Sequence, residues 1–121
     1  MRNETGIYGE NLACEALSQK KYSILYRNIR CLYGEIDIIA YKNHTLHFVE
    51  VKTRKSLRFG LPVESYTQKK REKIVRACFW ILHESGLVFP SYQSFQFDFI
   101  GYILDQQNQV LECNWIENAW N

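Results

Sequence analysis

The stretch Gly34-Glu35-Ile36-Asp37-Ile38-Ile39-Ala40-Tyr41-Lys42-Asn43-His44-Thr45-Leu46-His47-Phe48-Val49-Glu50-Val51-Lys52-Thr53 decides how this chain is built. Two β-branched and aromatic runs, Tyr33 to Tyr41 and Thr45 to Thr53, flank the polar turn Lys42-Asn43-His44. Runs of this composition around so short a polar break predict a β-hairpin. Centred on Asn43-His44, the hairpin sets Tyr41 against Leu46, Ile39 against Phe48, Asp37 against Glu50 and Glu35 against Lys52. Strand side chains alternate between faces, so these eight share one side of the sheet. Ile36, Ile38 and Ala40 fall on the other side, against Val51, Val49 and His47.

Both sides are therefore largely apolar, as in a sheet covered by helices. The exception is one end of one face, where two carboxylates and a lysine converge. Opposed strand side chains have Cβ atoms about 5 Å apart, and like charges so placed repel. A hard divalent cation such as Mg²⁺ (or Mn²⁺) between Asp37 and Glu50 removes that repulsion. Lys52, on the same face, reaches a water or a phosphate oxygen at such an ion. The competing reading is a solvent-facing hairpin end with Glu35 and Lys52 as a surface ion pair.

Working outward, Ala13, Ala16 and Leu17 recur at helical spacing in a first helix from Gly6 to about Lys20. Glu10 shares the face of Ala13, Cys14 and Leu17, where a buried carboxylate needs a cation or a partner. Beside a metal site it reads as a ligand or water-positioning residue; alone, it reads as a charge near the helix N-terminus. Tyr22 to Ile29 forms a strand. After a loop marked by Gly60 and Pro62, a long helix runs from about Tyr66 to Ser85. Ser65 or Thr67 caps its start and Gly86 suits its end. Ser94 to Leu104 and Val110 to Ile116 are further strands around a turn at Asp105 to Gln109. The order α-β-β-β-α-β-β predicts a single mixed α/β domain over residues 1–121, because the hairpin excludes a purely parallel sheet.

The 121 residues, 46% of them hydrophobic, suffice for one packed core. No run approaches the roughly 18 apolar residues of a membrane span, and Met1 to Thr5 lacks the apolar stretch of a secretion signal. The expectation is a cytoplasmic protein with no membrane partner. Cys14, Cys31, Cys78 and Cys113 are far apart, which argues against a zinc site and for free thiols. His44, His47 and His83 read as surface or packing histidines.

Between Val51 and Arg76 nine bases stand against only Glu64 and Glu72, although the chain as a whole is only +2. That concentration points to a polyanion-facing surface, or to a solvated helix face plus a charged loop. On the first reading Arg54, Lys55, Arg58, Lys69, Lys70 and Lys73 hold the phosphate backbone of a nucleic acid. Gln68 and Lys69, at a helix start, touch the phosphate beside the scissile one. The Thr53 hydroxyl is a strand residue that could orient Lys52 or a water.

The ordered set Tyr8-Gly9-Glu10 with Ala13, Gly34 to Ala40, Phe48 to Arg54, Phe59-Gly60, Lys69, Phe97-Asp98 and Trp115 to Trp120 resembles the YraN family of small bacterial proteins. The resemblance covers nearly the whole chain. It implies a restriction-endonuclease-like fold with a PD-(D/E)xK site, similar to those of archaeal Holliday-junction resolvases and lambda-type exonucleases. By that resemblance Asp37, Glu50 and the Val51 main-chain carbonyl bind Mg²⁺, Lys52 positions or activates the attacking water, and Glu10 completes the set. One departure is Gln96, where the family commonly carries arginine before Phe97-Asp98. The function implied is a metal-dependent nuclease acting on DNA, including branched or repair and recombination intermediates. Two alternatives stand beside it. One is a non-catalytic nucleic-acid-binding accessory factor in DNA repair, recombination or uptake. The other is a protein–protein adaptor or homodimer built on Trp80, Trp115 and Trp120, residues that otherwise close the core at its edges.

Overall fold

A computed structural model describes residues 3–56, 58 and 60–119; Phe59 and Trp120, both named above, lie outside the described residues. Helix α1 (Glu4–Gln19) begins two residues earlier than the periodicity predicts, because the Asn3 side chain caps it by accepting from the Gly6 amide at 2.7 Å. Strand β1 (Ser23–Cys31) leads into β2 (Gly34–Lys42), and β2 turns into β3 (Thr45–Arg54). At that turn Asn43 and His44 have φ of 51° and 59°. Positive φ at both central positions is what a two-residue type I′ hairpin needs. The register is the expected one: Lys42 lies against Thr45, Tyr41 against Leu46, Ile39 against Phe48 and Ile38 against Val49.

A 3-10 turn, Pro62–Ser65, precedes α2 (Gln68–His83), so the long helix starts later than Tyr66. Of the two candidate caps the chain uses Thr67, whose hydroxyl accepts from the Lys70 amide. Strands β4 (Ser94–Leu104) and β5 (Val110–Ile116) complete a five-stranded sheet of order β1-β2-β3-β4-β5. β3 and β4 run parallel and the other neighbours antiparallel. The parallel pair follows from α2, a crossover long enough to return the chain in the same direction. The result is the expected mixed α/β architecture.

Each face of the sheet is closed by one helix. Ala13 and Leu17 of α1 pack with Ile38, Ala40, Val49, Val51 and Ile100. Ile74, Cys78 and Ile81 of α2 pack with Ile39, Leu46, Phe48, Phe97 and Phe99 on the other side. Ile36 departs from the alternation: it belongs to the α2 cluster, not to the side of Ile38. Asn28 of β1 has φ of 56°, and it sits between the pairs Arg27–Ile38 and Ile29–Ile36. Among the described residues no helix is long and apolar enough to cross a membrane.

Candidate carboxylate and lysine site

The ladder between β2 and β3 stops at Ile38–Val49. Beyond it the Val51 amide, which would otherwise bond to the β2 backbone, donates to Asp37 Oδ2 at 2.8 Å. Asp37 and Glu50 are therefore not a ladder pair, and neither are Glu35 and Lys52. Glu35 instead lies opposite Arg30 of β1, with Arg30 Nε 3.9 Å from Glu35 Oε2. The two acidic side chains of the site still meet. Asp37 is buried, and its carboxyl is pushed up to about 8. Burial is the largest cause, followed by the charge of Glu50; Glu10 adds to the rise, as does a hydrogen bond with Glu50. The Val51 amide pulls in the opposite direction, since a donor favours the ionised form.

Glu10 reaches this place because Gly9 lets α1 lie directly on β3. A Cβ at Gly9 would overlap the Thr53 hydroxyl. Glu10 itself is buried, and its Oε1 accepts from Asn28 Nδ2 at 2.9 Å. The left-handed Asn28 thus holds the helix carboxylate. Thr53 Oγ1 is buried without a hydrogen-bond partner, so it packs against α1 and does not orient Lys52.

From the other face, α2 brings Lys70, whose Nζ is 3.2 Å from Glu50 Oε1. Lys52 is half-buried, and its ammonium is held below the ordinary lysine range. Burial is the main cause, with the positive charges of Lys70 and Arg54 adding to it and Glu50 and Asp37 opposing. A cavity of about 220 Å³ opens over the group, lined by Tyr33, Glu35, Asp37, Glu50, Lys70 and Lys73. The structure therefore brings together Glu10, Asp37, Glu50, Lys52, Lys70 and Lys73.

The remaining bases lie around that mouth or away from it. Arg58 and Lys69 are exposed, and Lys55 is half-buried. Arg54 Nε is buried without a partner. Gln68 lines a different depression, with Arg71, Glu72 and Val75, and does not face the carboxylates. Sequence reasoning missed Asn28 and the inward turn of Lys70. Lys70 was legible: it precedes Ile74 by one turn, on the stripe that packs against the sheet.

The sequence profile described as "Uncharacterised protein family UPF0102", the YraN family, matches residues 9–102. The chain belongs to that family. It is 40% identical over 119 residues to a UPF0102 protein of Caldicellulosiruptor saccharolyticus, covering 98% of both chains. A UPF0102 protein of Caldicellulosiruptor bescii is 42% identical over 117 residues, with 97% of each chain covered. One from Clostridium acetobutylicum is 40% identical over 120 residues, covering 99% of this chain and 96% of the relative. The segment matched by the UPF0102 profile contains every member of the carboxylate and lysine group.

This UPF0102 chain has a second polar cluster at the far end of β3 and β4. His47 is buried, not at the surface, and its Nδ1 lies 2.7 Å from Asp98 Oδ2. Asp98 Oδ1 accepts from Gln96 Nε2 at 2.8 Å and from the Asn118 amide at 3.0 Å. Gln96 thus serves the carboxylate beside it. Trp80 and Trp115 pack at the margins of the two core clusters, which favours their core-closing reading over the docking one. The four cysteines are free thiols, as expected.

Whether a metal suits the carboxylate group is a question of donors. Among the described residues no three of His, Cys, Asp and Glu converge at ligand distance. Two carboxyls in contact, Asp37 buried and Glu50 paired with the Lys70 ammonium, nevertheless offer oxygen donors to a hard divalent ion that keeps several of its waters. Burial first and the Glu50 charge second raise the Asp37 carboxyl, and a cation there would oppose both.

Proposed function

We propose that this protein is a metal-dependent phosphodiesterase acting on nucleic acid, with a PD-(D/E)xK-type site on a restriction-endonuclease-like core. The observation that carries the reading is the contact between the buried Asp37 carboxyl and the half-buried Glu50 carboxyl beside Lys52, in a cavity rimmed by Lys70 and Lys73. Asp37, Glu50 and the Val51 carbonyl would hold Mg²⁺ or Mn²⁺, and Glu10 would hold a water in place. Such an ion supplies Lewis-acid polarisation of the phosphoryl group. Lys52, with its ammonium held low, positions the attacking water and meets the charge that develops on the phosphate.

Helix α2 supports the reading through its own electrostatics. Lys69, Lys70 and Arg71 crowd its first turn, which carries no acidic residue. Cations at the positive end of a helix are unfavourable by themselves, and a bound phosphate reverses the sign. Lys70 exchanges Glu50 for a phosphate oxygen when substrate enters, and Lys73, Lys69, Arg58 and Lys55 extend the backbone contact.

The test is Mg²⁺-dependent cleavage of branched, single-stranded and duplex DNA by wild type, Asp37→Ala and Lys52→Ala. Cleavage by wild type that falls at least a hundredfold in both variants is expected. Equal cleavage by all three proteins would sink the proposal. Salt-sensitive binding without cleavage, indifferent to Asp37→Ala, would instead identify the non-catalytic accessory factor.

A further inference from the structure

The carboxylate cavity does not end at Lys73. Tyr33, on the β1–β2 turn, lines it and also lines a second cavity of about 320 Å³ shared with Arg76, Phe79, Trp80, His83 and Glu84. The two share Tyr33, and both lie against α2, marking a path along that helix. From Lys70 to His83 that path covers about 20 Å at the helical rise.

Tyr33 is 38% exposed and Phe79 49% exposed. Phe79 and His83 are stacked, with planes 14° apart and centroids 6.1 Å apart. An apolar core would draw such rings inward, yet α2 leaves them outside while burying Ile74, Ala77, Cys78 and Ile81. Lys73 and Arg76 stand exposed alongside them. Partly exposed rings beside Lys73 and Arg76 suit a polynucleotide whose bases are unstacked, although Glu84 also lines the second cavity. In a duplex each base face is covered by its neighbours. A single strand can lay bases on the rings and phosphates on the cations.

We infer that this path is a track for a single-stranded polynucleotide leading into the carboxylate cavity. Bases stack on Tyr33 and Phe79, and Lys73 and Arg76 carry the phosphates. The inference rests on the proposed phosphodiesterase reading and names its substrate class. The positive charge beside the rings favours this occupant over a protein partner.

The experiment is fluorescence anisotropy in EDTA with labelled oligothymidylate, oligouridylate and a duplex of equal length. The proteins are wild type, the double variant Tyr33→Ala/Phe79→Ala, and Phe79→Trp. Both rings are largely outside the core, and circular dichroism checks that the variants fold. Wild type is expected to bind a single strand at least tenfold more tightly than duplex. The double variant should lose about tenfold on single strands and less than twofold on duplex, while Phe79→Trp keeps wild-type affinity. The thymidylate and uridylate arms tell DNA from RNA. Equal affinity for duplex and single strand, or no effect of the double variant, overturns the track. So does a concentration-dependent dimer, seen by light scattering and dissolved by the double variant, without oligonucleotide binding. Because EDTA excludes cleavage, single-strand binding by a protein with no nuclease activity would leave the track standing and remove the nuclease. Asp37-dependent cleavage confined to duplex would do the reverse.

Discussion

The Val51 amide donates to the Asp37 carboxylate across 2.8 Å, taking up the donor with which β3 would otherwise have continued its ladder to β2. One hydrogen bond thereby ends a strand pairing and opens the place where the acidic groups meet. Glu50 comes from β3 and Glu10 from α1, and both raise the Asp37 carboxyl. The site is a local failure of the sheet, held in a fixed geometry.

Stability should reflect this. The folded Asp37 carboxyl keeps its proton up to about pH 8, whereas an unfolded one releases it near 4. Between those values the folded state binds more protons, so stability is full below about pH 4 and is lost as pH rises through 8. Asp37→Asn retains the acceptor for the Val51 amide and removes the titration. In urea unfolding with EDTA, the variant should be more stable than wild type at pH 8 by a few kcal/mol and nearly equal to it at pH 4. An unchanged difference between the two pH values would contradict this account.

Lys70 is one of the charges that hold the Lys52 ammonium low. Lys70→Met should move the Lys52 titration upward, measured by NMR of its side-chain resonances. Arg54→Met should do the same to a smaller extent. No movement in either variant would show that burial alone sets the Lys52 value.

Gly9 is required by the contact of α1 with Thr53. Gly9→Ala should cost about 2 kcal/mol of unfolding free energy through overpacking. Adding Thr53→Ala should restore part of the loss, because it removes the overlapped hydroxyl. A neutral Gly9→Ala would mean that α1 can stand further from β3 than the structure places it.

Asp98 is 1% exposed and serves His47, Gln96 and the Asn118 amide at once. Asp98→Ala should destabilise the protein by about 3–5 kcal/mol, since it strands several buried donors. Denaturant titration reads this directly. Oligonucleotide affinity at a temperature where the variant is folded should stay within about twofold, because the cluster lies at the far end of β3.

The hairpin was legible because its evidence is local. Asn43-His44 breaks two alternating runs, and counting outward places Asp37, Glu50 and Lys52 at one end. The parting of the strands was not legible, since it depends on which acceptor wins a single amide hydrogen. Asn28 carried a faint signal, as asparagine is unfavourable within a strand. The alternation did not reveal that Ile36 would join the α2 side. His47 and Asp98 had none at all: fifty-one residues separate them, and only the parallel pairing of β3 with β4 brings them together. The inward turn of Lys70 was implicit in its spacing from Ile74, but a lysine-rich helix start reads first as a solvated one.

The Asn43-His44 turn sits at the opposite end of the hairpin from the carboxylates, and turns of this kind are usually where a chain tolerates insertions. Here it acts as a ruler. A strand shifted by one residue exchanges its two faces. A single residue added between Lys42 and Thr45 would therefore carry Glu50 and Lys52 to the α1 side and leave Asp37 behind. Loop length at this exposed tip is tied to chemistry some seven residues away along each strand, so a survey of viable insertions should find the tip closed to them while other surface turns stay open.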